Sequence, residues 1–391
     1  MPDPLYHHTE GMVSVLPVKP GRVRLQLLDT FRFMAAASVL VYHWFFRGIE
    51  TGNVTSITYS GPSHAASYGY LGVYLFFMIS GFVIASSAQS GSASRFAVGR
   101  LVRLYPAFWV AVVFTASITA IWGGPALRVS FEQVLVNLTM VPGFLGQTLV
   151  DPSYWTLFHE LMFYAMVFVI LLIGQGRRLD AFFPAWAVGM AVVTLAAPDL
   201  AQRPFLGTIY GFFAAGAILS TVQRRGWTSW RAVGLSATLV VVLHYVVRDV
   251  TRINSGSRLF DQSMTVTIAL VVIFYLALLV QIAPRATSLR IPGSDVLGRM
   301  TYPVYLLHTY FGYIFLSHVA TEENKWLAYP LAGVLVIGMA YLLHVLVERR
   351  PRVAWFRFFD VVAGKPIRWL ESRTVMRRRR DAAAQPSRTT N

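Results

Sequence analysis

The chain has 391 residues, with 34 Lys or Arg against 18 Asp or Glu, for a formal charge of +16. Apolar residues make up 55% and charged residues 13%, with mean hydropathy +0.53, where a soluble globular domain carries about 25% charged residues. These figures exclude a string of soluble domains and a disordered chain, which would be poor in Phe, Trp and Ile, and they point to a membrane protein. The absence of cysteine excludes disulfides, Cys-based metal sites and a thiol nucleophile. The basic residues lie between long apolar runs, so they read as topology signals, and no nucleic-acid partner is expected.

Residues 1–24 lack an apolar core and a small-residue cleavage site, so they read as a cytoplasmic segment, not a cleaved signal peptide. A helix needs about 20 apolar residues to cross a bilayer. Ten segments qualify: 25–46, 68–88, 104–122, 155–173, 181–197, 205–222, 229–247, 264–282, 300–319 and 327–347. With the N-terminus inside and the sides alternating, 26 basic residues fall inside and 7 outside, with Arg32 left within a span. The outside seven are Arg47, Arg128, Arg203, Arg248, Arg252, Arg258 and Lys325. The expected fold is all-α: a polytopic integral membrane protein of about ten transmembrane helices with both termini cytoplasmic. Two long outside connections, 47–67 and 123–154, are placed to shape a binding mouth. Residues 353–391 form a basic cytoplasmic tail. Its Trp355, Phe356, Phe358, Phe359 and Trp369 suit the membrane interface, and Arg377–Arg380 suits contact with anionic lipid.

Ionisable groups within spans are costly and therefore functional candidates. Arg32 and His43 in the first span are 11 residues apart, about three helical turns plus roughly 20°, so they share one face. Asp29 can pair with Arg32, or the two can anchor the inner end of the helix. His43 on spacing alone is either a catalytic or a packing group. Glu160 in the fourth span lies at a similar depth, where an imidazole and a carboxylate could form a base–orienter pair. His159 projects from another face of that helix and reads as a packing group. Arg100 and Arg103, three apart, either clamp phosphates or only set topology. His308, near the middle of the ninth span, is either a satisfied core histidine or a pore group. His244 and His344 read as packing groups. Ser80 and Gly81, in FFMISGFVI, read as close-packing residues. No metal-ligand motif, P-loop or nucleophile elbow is present in the spans.

Several fragments in order resemble one family. LDTFRFMAAASVLVYH is similar to the opening motif of the acyltransferase family 3 membrane proteins, and GVYLFFMISGFVI to their second-helix signature. RFAVGRLVRLYPAFW resembles their Arg-x-x-Arg segment, WTLFHELMFY their Trp-to-Glu-to-Tyr motif, and LGRMTYPVYLLH and VERRP their late-helix motifs. The resemblance covers 25–352, taken as the transmembrane acyltransferase domain. It implies an O-acyltransferase that moves an acyl group, commonly acetyl, from acyl-coenzyme A to a sugar hydroxyl in a bacterial inner membrane. The family's essential histidine and arginine map onto His43 and Arg32, and its coenzyme A-binding pair onto Arg100 and Arg103. Glu160 joins the catalytic set. Trp155, Tyr164 and His308 fall to the acceptor. No metal is expected.

His159 and Leu161 stand where relatives often carry Val and Glu, and Tyr74 where Asp is frequent, which bears on acceptor recognition. Fewer than about fifty residues follow the last span, too few for a fused esterase-like domain; direct transfer or a separate extracytoplasmic partner is implied. The expected mechanism has Arg100 and Arg103 holding donor phosphates, Arg32 along the donor path, and His43 as general base, with Glu160 and Trp155 orienting His43 or the acceptor. The acceptor is a surface glycan, a lipid-linked sugar, peptidoglycan or a glycosylated or macrolide metabolite. The rival reading from ten spans with buried charges is a glycan or lipid transporter without transfer chemistry.

Overall fold

The computed structural model describes residues 25–256, 260–287 and 289–373; the 1–24 segment, Arg258 and Arg377–Arg380 lie outside the described residues. Among the described residues every regular element is helical. Helix α1 (Gln26–Tyr42) continues without a break through a wide π turn, His43–Arg47, to Glu50. Then follow α2 (Gly72–Ser87), α3 (Ala93–Trp122), α4 (Trp155–Leu172), α5 (Leu179–Ala196) and α6 (Tyr210–Arg225). Next come α7 (Ser229–Gly256), α8 (Met264–Ile282), α9 (Ser294–Val319) and α10 (Lys325–Leu343), which runs on as a π turn to Arg349. The last is α11 (Arg352–Phe359), prolonged by a π turn, Asp360–Gly364.

Each of the ten expected spans overlaps one of α1–α10. Among the described residues, seven helices are long and apolar enough to cross a membrane: α2 with the short turns before it, α3, α4, α5, α7, α8 and α10. The other three depart for physical reasons. Helix α6 has only 16 residues and buries Tyr210 to Val222 without a gap, so it is wrapped by protein, not lipid. Helices α1 and α9 carry the ionisable and hydroxyl groups that line the cavities described below. Helix α3 starts at Ala93, well before the expected 104, because Ser92 Oγ caps it by accepting from Arg95 N at 3.3 Å. Helix α7 runs to Gly256, past the expected 247.

Small residues set the helix contacts. A Cβ on Gly81 would strike the Phe213 carbonyl, and one on Gly216 the Met78 carbonyl, so α2 and α6 touch backbone to backbone from both sides. Gly298 of α9 lies against the Asp29 carboxylate, and Gly312 against the Trp44 ring. Trp44 Nε1 then donates to His308 O at 2.8 Å, fixing α1 on α9. Buried Asp151 ties the 123–154 connection to α9 by accepting from Tyr310 N at 3.2 Å. Helix α11 lies along α3, with Phe359 near Tyr105 and Trp109, and Glu371 accepting from Ala93 N at 2.5 Å.

Candidate active site

Two cavities open on the bundle, and α1 supplies a residue to each. The first, a narrow space of about 90 Å³, is lined by Arg32, Arg100, Arg103, Glu160 and Tyr164. The second, about 800 Å³, is lined by His43, Arg47, Trp155, Asp249 and Arg252. Val73 and Tyr305 belong to both walls. Arg32 lines the first and His43 the second, so residues of one continuous helix serve two neighbouring cavities.

The first cavity collects three guanidiniums around one carboxylate. Glu160 Oε1 accepts from Ser80 Oγ at 2.7 Å and from Tyr164 Oη at 2.5 Å. Arg103 Nη1 lies 3.3 Å from Glu348 Oε1, and the other Glu348 oxygen is 2.6 Å from His344 Nδ1. The Arg103 guanidinium sits 5.1 Å over the Tyr302 ring, and that of Arg100 5.8 Å over Tyr164. Arg100 Nε is buried with no hydrogen-bond partner. A buried orphan donor in a cation-rich pocket is what an anionic ligand with several oxygens would satisfy. The donor set thus fits the phosphates of an acyl-coenzyme A. Two histidine and serine readings change here: His344 holds Glu348 instead of merely packing, and Ser80 lines the cavity and binds Glu160, while its neighbour Gly81 does the close packing.

The second cavity is built around His43. The π turn that begins there widens the helix by one residue and brings His43 and Arg47 to the same chamber. His43 Nδ1 is 2.7 Å from Tyr313 Oη. Its ring packs edge-on against His308, with centroids 5.1 Å apart. His308 is buried, its Nδ1 bonded to Tyr305 O at 2.7 Å and its Nε2 to Thr309 Oγ1 at 3.2 Å. The carbonyl can only accept, so Nδ1 carries the hydrogen and Nε2 accepts. Both nitrogens are spent within α9, which makes His308 a wall behind His43, not a pore group. Glu160 faces the first cavity, with Ser80 and Tyr164, so the group beside His43 Nδ1 is Tyr313 and not Glu160.

Trp155 lines the His43 cavity and Tyr164 the arginine cavity, so the one motif serves both chambers. His159 Nδ1 is 3.1 Å from Tyr210 Oη, in keeping with a packing histidine. Asp249, Arg252 and Arg47 were not singled out from the sequence as site residues, whereas Tyr74, noted there for acceptor recognition, lines the His43 cavity. Buried Asp249 accepts from Tyr74 Oη at 2.6 Å and from Arg252 Nη2 at 2.7 Å. Arg47 pairs with Glu50 at 2.8 Å. The available signal for Arg47 was its spacing, one helical turn beyond His43; for Asp249 there was none, because its partner Tyr74 is 175 residues away.

The molecule is an integral membrane protein, all-helical among the described residues, whose buried charges gather at two neighbouring chambers. The chain belongs to the acyltransferase domain family, whose model matches residues 25–345. It is 30% identical over 261 residues to the exopolysaccharide production protein ExoZ of Rhizobium meliloti (strain 1021), covering 63% of this chain and 78% of that protein. It is 28% identical over 228 residues to nodulation protein 10 of Rhizobium leguminosarum bv. viciae, covering 49% of this chain and 58% of that protein. No solved structure matches the chain.

Proposed function

We propose that this membrane acyltransferase moves an acyl group, acetyl in the simplest case, from acyl-coenzyme A to a sugar hydroxyl of a glycan, and that it does so in a bacterial inner membrane. The observation that carries the proposal is the meeting of an arginine chamber and a histidine chamber along one helix, with Val73 and Tyr305 common to both. Similarity to an exopolysaccharide production protein supports a glycan acceptor.

The bound thioester supplies an activated acyl carbon. Arg100 and Arg103 hold donor phosphates by charge-assisted hydrogen bonds, and Arg32 lines the path toward His43. With its hydrogen on Nδ1, His43 donates to Tyr313 Oη, 2.7 Å away, and keeps Nε2 to accept a proton. Nε2 takes the proton of the acceptor hydroxyl as its oxygen bonds the acyl carbon and the carbon–sulfur bond breaks. The proton then passes to the departing thiolate, and the imidazole returns neutral. Glu160 holds Ser80 and Tyr164 in the donor chamber, and Trp155 offers the acceptor an aromatic face in the other.

The test compares surface glycans and secreted metabolites, by mass spectrometry and NMR, from a deletion strain carrying empty vector, wild type or His43→Ala. The expected result is an ester lost in the deletion and restored by wild type alone. Equal restoration by His43→Ala overturns the base assignment. An unchanged ester with glycan accumulating inside the cell would replace acyl transfer by transport. Arg100→Gln with Arg103→Gln should raise the donor concentration for half-maximal rate by about tenfold or more, each charge-assisted contact contributing about 1.5–3 kcal/mol. Unchanged donor dependence would leave those arginines as topology signals only.

A further inference from the structure

The chamber around His43 shares its far wall with a second hollow. Tyr245, Asp249 and Arg252 line the chamber, and the same three residues line a hollow of about 530 Å³ bounded by Gln202, Arg248 and Ser255. A pocket for a drug-sized ligand measures about 300–1,000 Å³. The His43 chamber, about 800 Å³, takes up most of that range by itself, and the hollow beside it at the end of α7 adds its own 530 Å³. One sugar at His43 would leave most of this space to water.

The wall between His43 and the hollow is a row of tyrosines. Tyr42 lies 5.1 Å from the His43 ring, Tyr70 5.7 Å from Tyr42, Tyr74 5.7 Å from Tyr70, and Tyr245 5.7 Å from Tyr74. Tyr42, Tyr70 and Tyr245 are half-buried and offer an apolar face with a polar edge, suited to the C–H faces and hydroxyls of sugars, while Tyr74, buried and stacked on Phe212, backs the row. Two are held in place by their hydroxyls, Tyr70 on Gln262 at 3.1 Å and Tyr74 on Asp249 at 2.6 Å. The row ends at the Asp249–Arg252 pair, where the Arg252 side chain is 80% exposed and keeps donors free for a ligand.

We propose that the acceptor binds as an extended glycan segment. The reacting sugar lies at His43, its neighbour along Tyr70, Tyr74 and Tyr245, and a further sugar beyond Asp249–Arg252 in the hollow beside Arg248 and Ser255. The acceptor is then an oligosaccharide of at least about three sugars, not a single sugar or a compact glycosylated metabolite. This inference rests on the acyl-transfer reading and names the acceptor class of that same site.

The experiment takes the de-esterified glycan of the deletion strain, cleaves it by partial acid hydrolysis, and separates single-sugar from oligosaccharide fractions. Each is offered to the purified full-length protein in lipid nanodiscs with the acyl-coenzyme A identified by the ester comparison, and coenzyme A release is followed. Wild type should show kcat/KM rising about tenfold from single sugar to oligosaccharide, the gain of one good additional contact set. Ser255→Trp fills the hollow from an exposed position, and Arg252→Ala removes the divider; each should lower that ratio about fivefold or more. Wild type using single sugars as well as oligosaccharides overturns the proposal, as does a Ser255→Trp protein that keeps the wild-type ratio. Release with no fraction at all overturns the acyl-transfer reading, and this inference with it, whereas a flat length dependence overturns this inference alone.

Discussion

The hydroxyl of Tyr313 is the atom that decides what His43 can do. A tyrosine that accepts from Nδ1–H fixes the ring and leaves Nε2 basic; without it the ring can turn or take the other tautomer. Tyr313→Phe keeps the buried ring that packs beside Gly48 and removes only this bond. We expect kcat to fall about two- to tenfold, the worth of one net hydrogen bond of about 0.5–1.5 kcal/mol, with the donor KM unchanged. A parallel change in both constants would mean that the substitution disturbs the fold and not the imidazole. This residue also marks where sequence reading stops. The common face of Arg32 and His43 is an expectation from helical periodicity within one helix; in the structure Arg32 lines one chamber and His43 the other. The partner of His43 comes from α9, 270 residues away, and depth along a helix does not say which neighbour a side chain meets. Glu160 has the depth expected of a partner but belongs to the other chamber.

At the scale of elements, α2 and α6 depend on their two glycines. Gly216→Val puts a branched side chain into the Met78 carbonyl, and overpacking of this kind costs about 1–3 kcal/mol. We expect a lower unfolding temperature in detergent and weaker cell accumulation, while Gly189→Val, where a Cβ meets open space, should leave the unfolding temperature near that of wild type. The loop after the π turn is tied differently. Glu322 accepts from Lys325 Nζ at 2.5 Å, from Thr58 N at 2.5 Å and from Thr58 Oγ1 at 2.8 Å. Those donors, Lys325 first and then Thr58, hold its carboxyl down at about 2, below the ordinary 4.5. A carboxyl lowered by folding stabilises the tie above 4.5, and the tie weakens as pH falls from there through about 2. Amide protection of Val54 to Ser60 should therefore drop between about pH 5 and about pH 3 in wild type and be low throughout in Glu322→Gln. Equal protection in both proteins at neutral pH would show that other contacts hold the loop. Positions of helices were legible because apolar runs are local. The complete burial of α6 was not, since it answers to neighbours distant in the chain, whereas the early start of α3 answers to the local Ser92 cap.

For the whole molecule, charge distribution and geometry bear on one question: which chamber faces which side. If both termini lie inside, as the arginine excess on alternate connections leads us to propose, Arg100 and Arg103 fall at the inner face and Arg47, Arg248 and Arg252 at the outer. The chambers separate the same residues, Arg100 and Arg103 lining one and Arg47 and Arg252 the other. A donor made in the cytoplasm and a glycan displayed outside would then each reach the proper chamber without crossing the bundle. The chain lacks cysteine, so single-cysteine variants carry an unambiguous label. Ser255 at the end of α7 and Ser372 near the end of the described tail are both exposed. With both termini inside, Ser255→Cys reacts with a membrane-impermeant maleimide in intact spheroplasts, and Ser372→Cys reacts only after the membrane is opened. Labelling of both from one side would remove a span from the count. The reverse pattern would turn the molecule over, put the arginine chamber outside, and leave a cytoplasmic acyl donor with no route to Arg100 and Arg103.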